Sequence, residues 1–253
     1  MGYKYNVNHE YFKNIDTEYK AYILGFIFAD GCVSQPIGNR QLNFRIGIQE
    51  EDSYILKELS NKAAGGQINT VKTPSSIKKK YKPQVCVNIS SNQLCNDLIK
   101  LGCNIRKSSE GMNFPILQPQ LVRHFIRGFL DGDGSIILKK LSYKYKRKTQ
   151  FNLPNSHKDR YKLRVAFCST SKIFLEEITK QCKIEKFYIA SRLRKQIVYI
   201  LWIENKTEVD KLLFYLYNDS QYFLKRKYNK VLEFNKTIKS EAIDTSIERL
   251  ETT

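Results

Sequence analysis

Two short segments of the chain end in the same way, with an aspartate followed by a glycine. The first is Ile23–Gly31 and the second is Ile126–Gly134, and each is an apolar run that is typical of a helix. Two carboxylates held side by side repel each other unless a cation lies between them. A hard cation held by carboxylates can make water nucleophilic and neutralise developing charge. If the two segments pack together, Asp30 and Asp133 therefore form a metal site.

Small residues four positions apart indicate how the two segments pack. Gly25 and Ala29 lie on one face of the first helix, and Gly128 and Gly132 lie on one face of the second. Faces without side-chain bulk allow two helix backbones to approach closely. An Asp-Gly pair alone is also a common turn or helix stop, so one segment by itself leaves both interpretations open. The duplication favours the metal site.

Matching strands follow the two segments. Leu42–Gln49 and Tyr161–Cys168 alternate between apolar and polar residues, which predicts two half-buried strands. Asp52 and Ser171 then stand where helix N-caps are expected, ahead of apolar helical patterns.

Each half continues with a second hairpin and a further helix. The predicted hairpins pair residues 67–71 with 84–90 and residues 188–192 with 197–203, and the helices cover residues 92–101 and 207–217. The second half also has an insertion, which we predict to be a basic loop at residues 138–160. The pattern predicts an α+β protein with two pseudo-symmetric αββαββα repeats around a central helix pair. The predicted divisions are residues 1–116, 117–236 and a C-terminal tail at 237–253.

Composition indicates the class of partner. The chain has 253 residues, of which 43 are basic and 25 are acidic, so its formal charge is +18. Such an excess favours nucleic acid over the alternatives, an anionic membrane or an acidic protein. No signal peptide or membrane-spanning run is visible, and the six cysteines lack zinc-ligand spacing. We therefore expect an intracellular protein with reduced thiols.

Basic side chains are concentrated in two kinds of place. The predicted loops carry Lys78, Lys80, Lys146 and Arg147, which could neutralise phosphates, although a merely solvated charged loop is the alternative. The polar side of the predicted sheets could read base edges in the major groove. The residues expected there are Asn43, Arg45, Lys162, Arg164, Arg192 and Arg194.

Taken together, the paired segments, the repeated strands and the basic charge resemble the LAGLIDADG homing endonucleases in their single-chain, two-motif form. The resemblance covers roughly residues 19–234 in the expected order of elements. It implies two motif helices packed at the centre of a β-saddle that straddles duplex DNA.

The resemblance also implies roles for particular residues. Asp30 and Asp133 would bind divalent metal, with the carbonyl groups of Ala29 and Gly132 as additional contacts. The metal implied is Mg²⁺, with Mn²⁺ as a substitute and Ca²⁺ binding without cleavage. Groups that order solvent around the attacking water would be Gln49, Lys107 and Lys227. The second-half position that corresponds to Gln49 falls at Cys168, a departure from the family pattern for which Ser169 or Thr170 could substitute.

The function implied is site-specific, metal-dependent cleavage of both strands of a long, pseudo-symmetric DNA target, in the service of intron homing. Because one chain carries both motifs, we expect a monomer. The alternative is a protein of the same fold that does not cut: an intron RNA maturase that binds its host intron RNA, or a DNA-binding protein. The compartment could be an organelle, a bacterial cell or a phage-infected cell.

Overall fold

Two successive units share one order of helices and strands in this computed structural model, which describes residues 6–71, 82–105, 112–144 and 157–236, with 141–144 and 157–160 as backbone. The first unit contains α1 (Glu18–Asp30), β1 (Cys32–Ser34), β2 (Asn43–Gln49), a 3₁₀ helix (Glu50–Leu56), α2 (Lys57–Ala63), β3 (Asn69–Thr70), β4 (Gln84–Ser90) and α3 (Asn92–Lys100). The second unit contains α4 (Pro119–Asp133), β5 (Ser135–Lys144), β6 (His157–Ser169), α5 (Lys172–Gln181), β7 (Tyr188–Leu193), β8 (Ile197–Ile203) and α6 (Lys206–Tyr217). A last helix, α7, covers residues 225–236.

Each unit contains one antiparallel sheet of four strands. The strand order is β1-β2-β4-β3 in the first sheet and β5-β6-β8-β7 in the second, so each strand has its counterpart in the other unit. This arrangement confirms the predicted α+β fold with two related repeats.

The central strands bury one face and leave the other to solvent. The buried side chains are Phe44, Ile46 and Ile48 in β2 and Leu163, Val165 and Phe167 in β6. Because side chains alternate along a strand, the polar residues between them lie on the opposite face. Those polar residues are Asn43, Arg45, Lys162 and Arg164.

The α1 and α4 helices pack so closely that their backbones touch. A Cβ atom added at Gly25 would overlap the carbonyl oxygen of Phe125, and one added at Gly128 would overlap that of Tyr22. The small residues therefore have the role predicted for them. The helix pair joins the two units, because one continuous apolar core contains side chains from both.

Aromatic rings fill the space around the helix pair. Phe28 of α1 meets Phe125 of α4 edge-on with ring centres 5.0 Å apart, and Phe129 meets Phe174 of α5 at 4.8 Å. All six cysteines are free thiols. Among the described residues, every helix is too short or too polar to cross a bilayer.

Two local predictions are wrong. Asp52 is not an N-cap: it lies inside the 3₁₀ helix, is buried, and accepts a hydrogen bond of 3.0 Å from Arg226 Nε.

The segment predicted as a loop at residues 138–160 is a strand at both ends, since Lys144 pairs with His157 at the far end of the β5–β6 hairpin. Lys139 and Lys140 lie in β5 and are exposed, so a basic composition does not exclude a strand. The predicted cap at Ser171 is confirmed, because its hydroxyl accepts from Phe174 N–H.

Replacing Gly128 with alanine should destabilise the protein by about 3 kcal/mol, because the added methyl group cannot fit without separating the helices. Chemical denaturation of both proteins measures the difference. Gly47→Ala is the matched control, since a Cβ there would lie 3.6 Å from Val85 O, an ordinary contact. Equal stability losses in the two variants would contradict the close approach of the helices.

Candidate active site

Asp30 and Asp133 are the last residues of the two central helices. Each helix ends at a glycine whose N–H closes the final turn: Gly31 donates to Ile27 O at 2.8 Å, and Gly134 donates to Leu130 O at 2.9 Å. Both aspartates are exposed. The ends adjoin, because a Cβ on Gly132 would lie 3.5 Å from Asp30 Oδ2. The structure therefore brings the two predicted metal ligands to one place.

The donors at the helix ends fit a hard divalent cation. Within the described ranges, no group of three or more His, Cys, Asp or Glu side chains is arranged to enclose a metal ion. Mg²⁺ does not need such a cage, since it is bound through one or two carboxylates with waters and phosphate oxygens. Asp30 and Asp133 supply these carboxylates. The residues before them, Ala29 and Gly132, contact each other, which places both main-chain segments at the helix junction.

Lys227 closes the end of α4 from inside the protein. Its ammonium donates to the carbonyl oxygens of Leu130 at 2.7 Å, Asp131 at 2.6 Å and Gly134 at 2.6 Å, and Gly132 O lies 3.4 Å away. A positive charge there also stabilises the negative end of the helix dipole. Burial lowers the pKa of Lys227 to about 8, although the charges of Asp131, Asp30 and Asp133 oppose that shift.

A buried carboxylate lies directly behind the site. Asp131 accepts hydrogen bonds from Tyr22 OH at 2.9 Å, Tyr217 OH at 3.0 Å and Leu224 N–H at 2.7 Å. Burial raises the pKa of Asp131, and the hydrogen bond from Leu224 N–H acts in the opposite direction. These contacts attach the segment between α6 and α7 to the helix pair, and so they position Lys227.

Arg127 strengthens the same attachment one helical turn earlier. Its fully buried guanidinium donates to Tyr222 O, Leu216 O and Glu18 Oε1, each at 2.7 Å. Burial lowers its pKa, and the charge of Glu18 opposes the shift. The sequence indicates a cap or a salt bridge for Asp131 and no catalytic role, and it does not single out Arg127, because the atoms that both residues contact are remote in sequence.

Gln49 ends β2 on the side of the strand nearer Asp30. Cys32 pairs with Arg45 after the first motif, and Ser135 pairs with Ala166 after the second, so the two central strands can be aligned through their register. That alignment places Thr170 in the position equivalent to Gln49. The register thus favours Thr170, one of the two alternatives to Cys168, which the sequence pattern could not decide because it does not reveal strand register.

A cleft of about 240 Å³ opens beside Asp133. Cys168, Thr170 and Arg194 are among the residues that line it. Burial raises the pKa of the Cys168 thiol, and the charge of Asp133 adds to the shift. Arg194, predicted to contact DNA, is thus brought next to a metal-ligand candidate.

The other predicted DNA-contacting residues divide into two groups. Those on the solvent face of the sheets are Asn43, Arg45, Lys162, Arg164 and Arg192, the last of which pairs with Val198. The predictions for Lys78, Lys80, Lys107, Lys146 and Arg147 lie outside the described residues.

Sequence reasoning missed an acidic residue on the basic face of the second sheet. Glu204, which follows β8, accepts hydrogen bonds from Arg164, from Lys162 Nζ at 3.1 Å and from Tyr188 OH at 2.9 Å. Burial opposes its ionisation, but the hydrogen bonds and the two cations hold the pKa of Glu204 below its ordinary value. No local pattern in the sequence marks Glu204, because its partners lie on β6 and β7 and meet it only when β8 pairs with both strands.

Replacing Lys227 with methionine should destabilise the protein by about 3 kcal/mol, because several carbonyl groups at the end of α4 lose their donor. Lys230→Met is the matched control, since Lys230 donates to one carbonyl, Ile136 O, and should cost about 1 kcal/mol. Urea denaturation distinguishes the two, and equal losses would show that Lys227 is no more than an ordinary surface contact.

Known proteins were compared by sequence and by structure. No protein-family model and no curated protein matches the sequence. Similar structures include the LAGLIDADG homing endonuclease I-LtrWI bound to target DNA, with 13% identity over 95% of this chain and 97% of that one, and a TM-score of 0.58. The meganuclease I-CpaMI bound to uncleaved DNA has 14% identity over 90% and 93% of the two chains, with a TM-score of 0.55. I-SmaMI bound to cleaved DNA has 14% identity over 88% and 89%, with a TM-score of 0.54. The chain therefore has the fold of the LAGLIDADG homing endonucleases.

Proposed function

We propose that the chain is a site-specific endonuclease that cuts both strands of duplex DNA with Mg²⁺. The observation that carries this proposal is the position of Asp30 and Asp133 at adjoining helix ends, each directly ahead of a sheet whose solvent face bears basic or amide side chains. I-LtrWI, I-CpaMI and I-SmaMI, which share the fold, were each solved with DNA. Intron homing is the biological process proposed for this activity.

Each unit would contact one half of the target. Residues 1–116 would bind one half-site and residues 117–236 the other, so a monomer suffices. Equivalent strand positions in the two sheets hold different residues, since β2 has Asn43 and Arg45 where β6 has Arg164 and Ala166. The target therefore need not be a palindrome.

The carboxylates of Asp30 and Asp133 would hold the metal against the two scissile phosphates, supported by the carbonyl groups of Ala29 and Gly132. A bound divalent cation supplies an activated water and neutralises charge on the phosphate. Arg194, in the cleft beside Asp133, is placed to add positive charge near one phosphate.

Two of the remaining predicted catalytic residues, Gln49 and Lys107, are proposed to act around the attacking water. Gln49 would orient solvent in the first half, and Lys107 is proposed to assist it. Lys227 contributes by position, because its ammonium holds the last turn of α4 and thereby fixes the direction of Asp133. Because the second unit has Thr170 in the position equivalent to Gln49, the two strands of DNA need not be cut at equal rates.

Asp30→Asn and Asp133→Asn should each lower double-strand cleavage by about a hundredfold or more, because each removes a charge that holds the metal. The substrate is a duplex in which the two DNA sequences that flank the gene are joined directly, without the gene between them. Its cleavage is measured with Mg²⁺. Binding measured with Ca²⁺ should be retained. Asp210→Asn, on α6, is the control for loss of a carboxylate elsewhere.

Full cleavage by both motif variants would reject the proposed site. Wild-type protein that binds this duplex tightly but never cuts it would instead support a non-cleaving DNA-binding protein.

Shortening the β5–β6 hairpin should weaken DNA binding without unfolding the sheet. Lys144 and His157 are paired, so an Asn-Gly turn can replace residues 145–156, which contain three basic residues. The salt dependence of log K should become shallower by about 0.9 for each phosphate that the shortened protein no longer neutralises. Binding titrations at several salt concentrations test this, and an unchanged slope would show that the segment does not touch DNA.

A further inference from the structure

Glu204 places a carboxylate among basic side chains on the face of the second sheet that would meet DNA. The β6–β8 register pairs Val165 with Ile203, so the next residue, Glu204, lies beside Arg164. The Glu204 side chain is 24% exposed, and its partners Arg164 and Lys162 are 23% and 39% exposed. The cluster is therefore accessible from solvent.

The carboxylate organises its neighbours from both oxygens. Oε1 accepts from an Nη2 proton of Arg164 and from Tyr188 OH, and Oε2 accepts from Lys162 Nζ. The guanidinium of Arg164 also lies over the Trp202 ring, with Cζ 4.5 Å from the ring centre. The Tyr188 ring stacks against the Trp202 ring, with the ring centres 6.5 Å apart. Arg164 is thus fixed by a charge at its end and by an aromatic surface below it.

Stability does not explain this arrangement. Partly exposed ion pairs contribute little to folding, and fixing two long side chains costs conformational entropy. A carboxylate on this face also opposes the approach of phosphates. Such a group is useful where a fixed geometry matters more than affinity. Specificity depends on the difference in binding free energy between correct and incorrect partners, and a fixed geometry increases that difference.

The chemistry of the cluster selects one base. Both Glu204 oxygens already accept hydrogen bonds, so the carboxylate is poorly available to a cytosine amino group. Arg164 Nε is buried, which leaves the Nη end of the guanidinium to meet a base edge. Guanine presents two acceptors in the major groove, O6 and N7, whereas adenine presents a donor beside its acceptor. Donors held at a fixed angle therefore favour guanine.

We propose that Glu204 is a specificity-determining residue, which holds Arg164 and Lys162 in the geometry that reads guanine in the half-site under the second sheet. This inference rests on the proposed function, since it assumes that this face binds the target duplex. Glu204 acts as a positioning residue, and Arg164 makes the contact with the base.

Two variants test the inference through their base preference. Wild-type protein is used with Ca²⁺ to enrich binding sequences from a pool of randomised duplexes, and each enriched guanine is then replaced by adenine. At one guanine the replacement should weaken wild-type binding about ten- to a hundredfold. In Glu204→Gln the loss at that position should fall to a few-fold, while preferences elsewhere remain. Arg164→Lys, which keeps the charge but loses the planar donors, should lose the same preference.

The direction of the change in affinity for DNA distinguishes loss of a positioning residue from a general loss of structure. Glu204→Gln should bind unrelated duplex more tightly and with a steeper salt dependence, because a negative charge has left the interface. Glu177→Gln is the matched control. It removes the same charge from α5, whose apolar side packs on the core, and should leave every base preference unchanged.

Unaltered discrimination at every position in folded Glu204→Gln would overturn the inference while leaving the proposed function intact. Should Glu204→Gln fail to fold by circular dichroism, Arg164→Lys decides the outcome. A wild-type protein that enriches no sequence at all would refute the proposed function together with this inference.

Discussion

The contact between the backbones of α1 and α4 is the constraint on which the rest of the structure depends. It exists because Gly25 and Gly128 present no side chain to the opposite helix. Because the two helices run in the same direction, their C-terminal ends lie side by side. Two aspartates therefore meet where two helix dipoles are both negative. That arrangement is unfavourable by itself. The structure offsets it with Lys227, which donates to carbonyl groups at the end of α4, while both aspartates remain exposed.

The two units hold their motif helices in the core by different interactions. In the first motif the positions equivalent to Arg127 and Asp131 hold Leu24 and Phe28, which are fully buried apolar residues. In the second motif they hold a buried charge of each sign, and both make hydrogen bonds to the segment that joins α6 and α7. A buried charged group that loses one partner costs several kcal/mol. The second half therefore fixes its helix end through polar contacts that the first half replaces with packing.

Local sequence patterns predicted those parts of the fold that depend on neighbouring residues. The alternation in β2 and β6 and the small faces of the motif helices reflect burial along a single element, and the structure confirms both. The errors concern relations between elements. Asp52 is bonded to Arg226, and the counterpart of Gln49 is set by strand pairing. Glu204 likewise acquires its meaning only when β8 lies beside β6.

Opposite electrostatic requirements are separated in space by this fold. A metal site must be negative, whereas a surface that binds DNA must be positive, and Coulomb interactions weaken with distance and with exposure to water. The carboxylates of Asp30 and Asp133 sit at the helix junction, and the basic side chains lie on the solvent faces of the two sheets, each of which begins directly after one of these aspartates. Glu204 departs from that division, since it is an acid within the positive region. In the proposed complex with DNA, the charge of Glu204 would lower the attraction for phosphates and would in exchange fix the orientation of Arg164, so that recognition would outweigh affinity at this point of the surface.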